Sequence, residues 1–538
     1  MILPALLLVI SFYFRKSAGE YFLSIGANNV PNYDPAYVYL INSLNLAKGV
    51  LVSHIDHPGT SVQLIGALII KTLYYFQGVK ADIVEDVFFR PEFYLIRMNF
   101  IFVLLNSIVL AILGFVSFKK IGNIYKALFL QLTPFGFSVI YYKITDVTAE
   151  AMIVFSVILY VTVIISYIYE NELSESKSLR YAVLFGLVCG FGMVSKILFF
   201  SLLIIPVLLI KKFSNKIILL SVSILTFTII FYSAVHTEGI SFFAHWILNL
   251  ITHSGRYGEG NEDFIETTNM VSNLNSIFIK NPLFTLSYLL ISTLLILSFF
   301  KSFKLKIKNN KNYTLLVGLF LTMTLHTIIV LKHFGVHYMI PVFLLSITGL
   351  FVSLGIYSDI VPVLNSRKKI YFSVITLFVL IFTVYNFTII RKDRREFNYT
   401  KYESYKIENY IKENYNDPIV VCTYGCSDKA FALYIGNSYA GIKTTEYNKI
   451  LINQFPNHLM YNRWINKFDD LGILKDIESK LIRANKFLFL CDEKSVLDNF
   501  IDNVKQITGK PNAIYKVAFN NIRGETVYEI ILDPSINK

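Results

Sequence analysis

The chain has 538 residues, of which 54% are hydrophobic, 15% aromatic and only 16% charged. A soluble domain carries about 25% charged residues, so this chain has too few polar side chains to cover a soluble protein of its size. Its 50 Lys and Arg against 37 Asp and Glu residues give a formal charge of +13, which in a soluble protein would indicate nucleic-acid binding. In a multi-pass membrane protein the same excess belongs in the cytoplasmic loops.

The apolar segments predict about eleven membrane-spanning helices, since each span needs about 20 mainly apolar residues. Ten of these segments are 93–118, 125–142, 147–169, 179–195, 197–210, 216–235, 283–300, 313–331, 338–357 and 370–390. Residues 1–14 are either a shortened first span, which makes eleven, or a cleaved signal peptide. Segment 59–77 is interpreted as a helix lying along the outer leaflet, because counting it as a span would invert the charge pattern of the later loops.

Basic residues occur in every second loop, which fixes the predicted orientation. The clusters are Lys119, Lys120 and Lys126; Lys177 and Arg180; Lys211, Lys212 and Lys216; Lys301, Lys304, Lys306, Lys308 and Lys311; and Arg367, Lys368 and Lys369. The positive-inside rule makes these loops cytoplasmic, and nucleic-acid binding loses its support. The other loops and everything after residue 390 are then extracytoplasmic, in a plasma (inner) membrane protein.

Residues 391–538 mix charges of both signs and predict a separate α/β domain. Segments 418–423 and 486–491 predict buried strands, and 428–435 and 493–506 predict helices. Residues 513–520 and 525–532 predict a hairpin. We therefore expect an all-α polytopic membrane domain over residues 1–390 and a C-terminal extracytoplasmic α/β domain over 391–538. In that domain Cys422 and Cys426 either form a disulfide or remain buried free thiols.

Two polar motifs of the first outer loop stand next to prolines. Asp34 precedes Pro35 and His57 precedes Pro58, and an apolar helix is predicted after each proline. One interpretation is structural: Asp34 caps its helix with Pro35 at the first helical position, and Pro58 opens the next helix in the same way. The other interpretation is that these polar groups belong to an active site on the outer face.

Further ionisable residues lie at or near the outer ends of spans. Asp146 and Glu150 are four residues apart, which predicts a shared helix face. Arg97 and Lys196 lie within apolar segments, where an ionisable residue indicates function unless a cation extends to the headgroups. The turn from Lys332 to Pro341 contributes further cations and aromatics, and it favours phosphate binding, with a metal site as the alternative.

Taken in order, these residues resemble the GT-C class of membrane glycosyltransferases, and within it the branch of dolichyl-phosphate-mannose protein mannosyltransferases and aminoarabinose transferases. The matching positions are Asp34 in YDPAY, His57-Pro58, Arg97, Asp146 in ITDVTAE, Lys196 after Ser195, and His337-Tyr338 with Pro341. Two positions depart from the family pattern. Pro35 replaces a second acid and Gly59 replaces a second proline, which leaves the subfamily and the substrate open.

The resemblance implies transfer of a sugar from a polyprenyl-phosphate donor to a glycan, lipid or protein acceptor, in a single inverting displacement. It implies that Asp34 is the general base and that Asp146 orients a sugar. The residues implied to hold the donor phosphate or substrate are Arg97, Lys196, His57, Lys332, His337 and Tyr338. Beyond the lipid-linked donor no cofactor is expected, and a divalent metal is left open.

Other functions fit a multi-pass membrane protein of this composition. A transporter or flippase of lipid-linked saccharides would need polar residues and broken helices at the middle of the membrane, whereas here the polar groups gather at the outer face. A polysaccharide polymerase would share the outer-face site. A non-catalytic scaffold built around the α/β domain would not need the motif order.

Overall fold

The structure is a computed structural model of the full chain. The part of the chain that it describes comprises residues 2–18, 20–22, 34–56, 58–78, 81–254, 258, 260–262, 269–308, 310, 312–360, 368–469, 474–484 and 486–532.

Helices dominate the part of the chain that the structure describes, and the described strands lie in its C-terminal part. The helices are α1 (Ile2–Ala18), α2 (Ala36–Ala47), α3 (Thr60–Gln77), α4 (Ile83–Phe89), α5 (Pro91–Ile121), α6 (Ile124–Gln131), α7 (Ser138–Ile144), α8 (Ala149–Ile168), α9 (Glu175–Ser195), α10 (Ile204–Leu209), α11 (Phe213–Thr252), α12 (Met270–Phe278), α13 (Pro282–Leu297), α14 (Lys301–Lys308), α15 (Tyr313–Lys332), α16 (Ile340–Ile360), α17 (Lys368–Asn414), α18 (Lys429–Ser438), α19 (Thr444–Gln454), α20 (Leu474–Arg483) and α21 (Lys494–Thr508). The strands are β1 (Val420–Thr423), β2 (His458–Asn462), β3 (Lys467–Phe468), β4 (Lys486–Cys491), β5 (Ala513–Asn520) and β6 (Thr526–Leu532).

Contacts group these elements into two compact units. The first, here called the membrane unit, comprises Met1–Tyr13, Ile55–Leu64 and Asn99–Arg391. The second, here called the α/β unit, comprises Phe14–His54, Ile65–Met98 and Lys392–Lys538.

Six described helical segments are long and apolar enough to cross a membrane, and a seventh is added if α12 and α13, bent by 90° to each other, count as one broken span. The six are Pro91–Ile121, Ala149–Ile168, Glu175–Ser195, Phe213–Thr237, Tyr313–Lys332 and Val336–Ile360. The described residues indicate a multi-pass membrane protein, but they do not confirm the predicted count of about eleven spans.

Two predicted spans are not continuous helices. Segment 125–142 forms α6, a 3₁₀ turn at Thr133–Phe135 and α7, because Pro134 cannot continue a helix. Segment 197–210 forms a 3₁₀ helix at Ile197–Leu203 followed by the short α10. Residues 236–282, between the predicted spans 216–235 and 283–300, were predicted to be an outer loop. This prediction is partly wrong, since α11 continues past a non-helical residue, His236, to Thr252.

The cytoplasmic ends predicted from charge lie together in the membrane unit. Glu170, just after α8, contacts Lys120 at the end of α5 at 2.6 Å and Lys177 at the start of α9 at 2.9 Å. Lys212, before α11, pairs with Glu175 of α9. Because α8 and α9 run in opposite directions, Glu150 and Lys196 are at the other end of these helices. This grouping agrees with the alternation of basic loops.

The α/β unit contains a six-stranded mixed sheet with strand order β3-β2-β1-β4-β6-β5. Strand β1 pairs in parallel with β2 and β4, whereas β3, β5 and β6 join by antiparallel pairing. The predicted strands, helices and hairpin of this region are confirmed, and β2, β3, α19 and α20 are additions. All four cysteines are buried free thiols, so Cys422 and Cys426 are not joined by a disulfide.

Helix α2 packs within the α/β unit through buried amides. The side-chain amide of Asn42 donates to the carbonyl of Tyr439 at 3.0 Å, and that of Asn45 donates to Ala440 at 3.0 Å. The hydroxyl of Tyr447 donates to Asn45 at 2.9 Å. These bonds explain why α2, which we predicted within a domain spanning 1–390, groups with the C-terminal residues.

Candidate functional site

Lys196 lies at a helix break in the membrane unit. Helix α9 ends at Ser195, and Lys196 has extended backbone angles, φ −157° and ψ 125°. An antiparallel bridge joins Lys196 to Pro58, and the amide of Gly59 donates to the carbonyl of Ser195 at 3.2 Å. Gly59 thereby supplies a donor to the carbonyl at the end of α9, while the amide of Lys196 still donates to Gly192 at 2.9 Å. The bridge also shows that Pro58 does not open α3, which begins at Thr60.

The ammonium group of Lys196 is paired inside the protein. It contacts the carboxylate of Glu150 in the first turn of α8, and the side chains are only 6% and 7% exposed. The ammonium nitrogen also lies 4.2 Å from the ring centroid of Tyr338, which allows a cation–π interaction. A buried pair of this kind is held by mutual attraction against the desolvation of both charges.

His337 completes what is here called the lysine cluster, formed by Glu150, Lys196, His337 and Tyr338. Its Nε2 atom lies 3.7 Å from Oε1 of Glu150, and its ring centroid is 4.2 Å from that of Tyr338. The backbone of Tyr338 is held by buried His326, whose Nε2 lies 2.8 Å from the Tyr338 carbonyl. The cluster therefore collects one acid, one ammonium and one titratable imidazole from three separate segments.

Asp146 is buried and lies four residues before Glu150 of the lysine cluster, but it is outside helix α8. Its Oδ1 accepts the amide of Val147 at 2.8 Å, and its carbonyl accepts the side-chain amide of Asn99 at 3.3 Å. Helix α8 begins only at Ala149, after Thr148 at the N-cap. The prediction that Asp146 and Glu150 share a helix face is therefore wrong, because the chain is still in a turn at Asp146.

The predicted turn from Lys332 to Pro341 divides into two parts. The ammonium of Lys332 donates to the carbonyl of Ile251, and Nε2 of His333 lies 2.8 Å from the carbonyl of Leu250. Both carbonyls belong to the last turn of α11, where cations are favourable. His337 and Tyr338 belong to the lysine cluster instead.

Asp34 and Arg97 lie in the α/β unit. Asp34 is exposed, and the N-cap residue of α2 is Pro35, so Pro35 takes the position that the sequence predicted for Asp34. Arg97 is also exposed, lies 3.3 Å from the ring centroid of Phe93 and donates to the Phe93 carbonyl at 3.0 Å. His57 lies outside the described residues.

Glu150 is the site residue that sequence reasoning did not select. An acid in the first turn of a helix has an ordinary explanation, since it is favourable near the helix dipole. The available signal was Lys196 on a neighbouring apolar segment, since a charge at membrane depth needs a partner. Within the described part of the chain, no group of three or more His, Cys, Asp or Glu residues could hold a metal ion.

No protein-family model matches the chain, and no curated protein sequence matches it. Among solved structures it is similar to ArnT from Cupriavidus metallidurans in the apo state, with a TM-score of 0.52 at 9% identity. It is also similar to ArnT from the same organism bound to undecaprenyl phosphate, with a TM-score of 0.50 at 9% identity. Each match covers 98% of this chain and 97% of the ArnT chain.

The chain has the fold of ArnT. This confirms the fold expected from the resemblance to the GT-C class and its aminoarabinose transferase branch. The similarity extends over both the helical part and the C-terminal α/β region, since it covers nearly the whole length of each chain.

Proposed function

We propose that this protein is an integral-membrane glycosyltransferase that takes its sugar from a polyprenyl-phosphate donor on the extracytoplasmic face. The observation that carries the proposal is the lysine cluster, a buried cation and an imidazole at the ends of apolar helices that are opposite to their basic ends. The ArnT fold supports it, since one ArnT structure is bound to undecaprenyl phosphate.

The cluster has the chemistry needed to hold a lipid phosphate. When the bond from sugar to phosphate breaks, negative charge develops on the leaving phosphate, and a positioned cation lowers the energy of that transition state. Lys196 supplies the fixed charge, with three N–H donors, and His337 supplies a further donor. Glu150 and Tyr338 position the ammonium group. The apolar helices around them suit the polyprenyl chain.

Asp34 is proposed as the general base that removes the acceptor proton, with inversion at the anomeric carbon. The basis is the sequence motif, together with the exposure of Asp34. Asp146 is proposed to orient a sugar. Arg97, His57 and Lys332 remain predicted contacts of the donor phosphate or substrate. The acceptor, whether glycan, lipid or protein, is not assigned.

The test is Asp34→Asn, assayed in membranes supplied with polyprenyl-phosphate sugar. Loss of the base lowers the transfer rate about 10²–10⁴-fold, while the protein still inserts and folds because the side chain is exposed. Asp82→Asn is the matched control, since Asp82 is an exposed acid of the same unit that caps α4 and asparagine also caps well. Unchanged transfer by Asp34→Asn removes Asp34 from the base role.

A further inference from the structure

The residues that directly follow three parallel strands meet at one edge of the sheet in the α/β unit. Tyr424 follows β1, Arg463 follows β2 and Asp492 follows β4. Ligands of open α/β sheets bind at the carboxyl ends of the strands, next to the point where successive connections pass to opposite faces. This edge is therefore the first place in the unit to look for a binding site.

The connections after β1 and β4 pass to opposite faces of the sheet. Helices α20 and α21 pack with Val421, Leu459 and Phe489 in one core. The residue before Leu459 is His458, which by strand alternation points to the other face, and its Nε2 lies 3.5 Å from Asp428 at the start of α18. The change of face thus falls between β1 and β4, where Tyr424 and Asp492 lie.

Arg463 ties the three strand ends together. Its Nη1 donates to the carbonyl of Tyr424 at 2.9 Å and to Oδ1 of Asp492 at 2.7 Å. Its Nη2 lies 2.8 Å from Oε2 of Glu493, and the side chain is only 13% exposed. Gly425 has a φ of +104°, and a Cβ there would lie 2.7 Å from Oδ2 of Asp492. The edge is therefore fixed by a guanidinium whose two terminal nitrogens, Nη1 and Nη2, already have partners within the protein.

Tyr424 and Trp464 form an aromatic pair at this edge of the sheet. Trp464 is 67% exposed, and its ring centroid lies 5.0 Å from that of Tyr424 with a 55° angle between the planes. The backbone amide of Trp464 donates to the side chain of Asn462 at 3.1 Å, which holds the start of the loop. Next to the rings, the side chains of Asp492 and Glu493 are 28% and 58% exposed. The edge thus offers aromatic surface and carboxylate oxygens side by side.

We propose that this edge, formed by Tyr424, Arg463, Trp464, Asp492 and Glu493, binds a saccharide. A pyranose ring has an apolar C–H face that packs on an aromatic ring, and its hydroxyl groups donate to carboxylate oxygens. A free anion is a poor fit, because the two carboxylates around Arg463 exceed its single positive charge. That the saccharide is the acceptor glycan rests on the proposed function.

Intrinsic fluorescence tests the proposal, since the chain has two tryptophans and Trp246 is buried. In a Trp246→Phe background, Trp464 is the reporter. The full-length protein in detergent is titrated with cellotetraose, mannotetraose and chitotetraose to about 10 mM, which would fill about nine-tenths of a site with a Kd of 1 mM. We expect a saturable change in Trp464 emission with at least one of them. No change with any of the three overturns the proposal.

Matched variants separate the aromatic surface from general apolar exposure. Trp464→Ala should weaken binding of the active tetrasaccharide at least tenfold by calorimetry, whereas Ile465→Ala, which removes a neighbouring side chain that is 59% exposed, should not. Equal binding by the two variants overturns the proposal, as does a Trp464 response to anionic phospholipid vesicles in place of saccharides. Binding is measured without a donor, so failure of the proposed transfer is seen separately from failure of saccharide binding.

Discussion

At the scale of single residues, the central feature is the pairing of Lys196 with Glu150. Removing one member of a buried ion pair leaves the other charge without its partner, whereas replacing both by neutral groups is often tolerated. Stability and phosphate binding therefore respond differently to single and double substitutions at this pair. The two readouts can be separated with two variants.

Lys196→Met alone should destabilise the protein by about 3 kcal/mol, and Glu150→Gln combined with Lys196→Met should regain most of that loss. Transfer should fall about 100-fold in both, because neither has the cation that we propose to face the leaving phosphate. Thermal unfolding in detergent and transfer assays measure the two effects. Recovery of transfer in the double variant would show that Lys196 has only a structural role.

The same residues show how far the sequence predicts the site. Lys196, His337 and Tyr338 were predicted for the substrate site, and the structure brings them together. Glu150 was missed because an acid in a first helical turn needs no further explanation, and its contact with Lys196 depends on helix packing. The anchoring of Lys332 on the last turn of α11 likewise depends on a contact between segments 81 residues apart.

At the scale of secondary-structure elements, the sequence predicted helices and strands well where one uniform pattern of apolar residues extends over the whole element. Strands β1 and β4 are continuous apolar runs, and the hairpin of β5 and β6 has Gly524 with a φ of +84° at its turn. Strand β2 (HLMYN) was missed because it has only three apolar residues between polar ends. Segment 125–142 was predicted as one helix on its average hydrophobicity, although Pro134 divides it.

Glu529 on β6 contacts side chains of both neighbouring strands, β4 and β5, and of Tyr415. Its carboxylate contacts Lys486 at 2.8 Å and Lys516 at 2.9 Å, and the Tyr415 hydroxyl donates to it at 2.6 Å. Burial alone would raise the pKa of Glu529, but hydrogen bonds from both lysines and the tyrosine lower the pKa to about 2. A depressed carboxyl pKa stabilises the fold above the ordinary value of 4.5 and ceases to do so as the pH falls toward 2.

Glu529→Gln should therefore destabilise the α/β unit by about 2 kcal/mol at pH 7. The difference from the wild type should shrink as the pH is lowered from 4.5 toward 2. Thermal unfolding followed by circular dichroism across this range measures it. Glu408→Gln, which removes an exposed pair with Lys412, is the control and should have little effect. A difference that is independent of pH would contradict this account of Glu529.

At the scale of the whole molecule, the orientation follows from where charges lie along the helices. The basic ends of α5, α9 and α11 are joined by ion pairs through Glu170 and Glu175. The lysine cluster lies at the opposite ends of α8 and α9. With the positive-inside rule, the cluster is predicted to face the extracytoplasmic side.

Cysteine labelling tests this orientation, because the four native cysteines are buried. Asn171 and Ser438 are exposed positions, in the loop after α8 and at the end of α18. A membrane-impermeant maleimide should label Ser438→Cys in intact cells and Asn171→Cys only after the membrane is opened. The reverse pattern would place the α/β unit in the cytoplasm.

The use of a polyprenyl-phosphate donor is tested most directly by the lipid that the protein retains. Wild-type and Glu150→Gln/Lys196→Met proteins are purified in detergent, supplied with undecaprenyl phosphate and analysed by native mass spectrometry. We predict that the wild type keeps polyprenyl phosphate, with or without a sugar, and that the double variant loses it. Retention of phospholipids alone by both proteins, or equal retention of undecaprenyl phosphate by both, would contradict the assignment of the lysine cluster as the site of the donor phosphate.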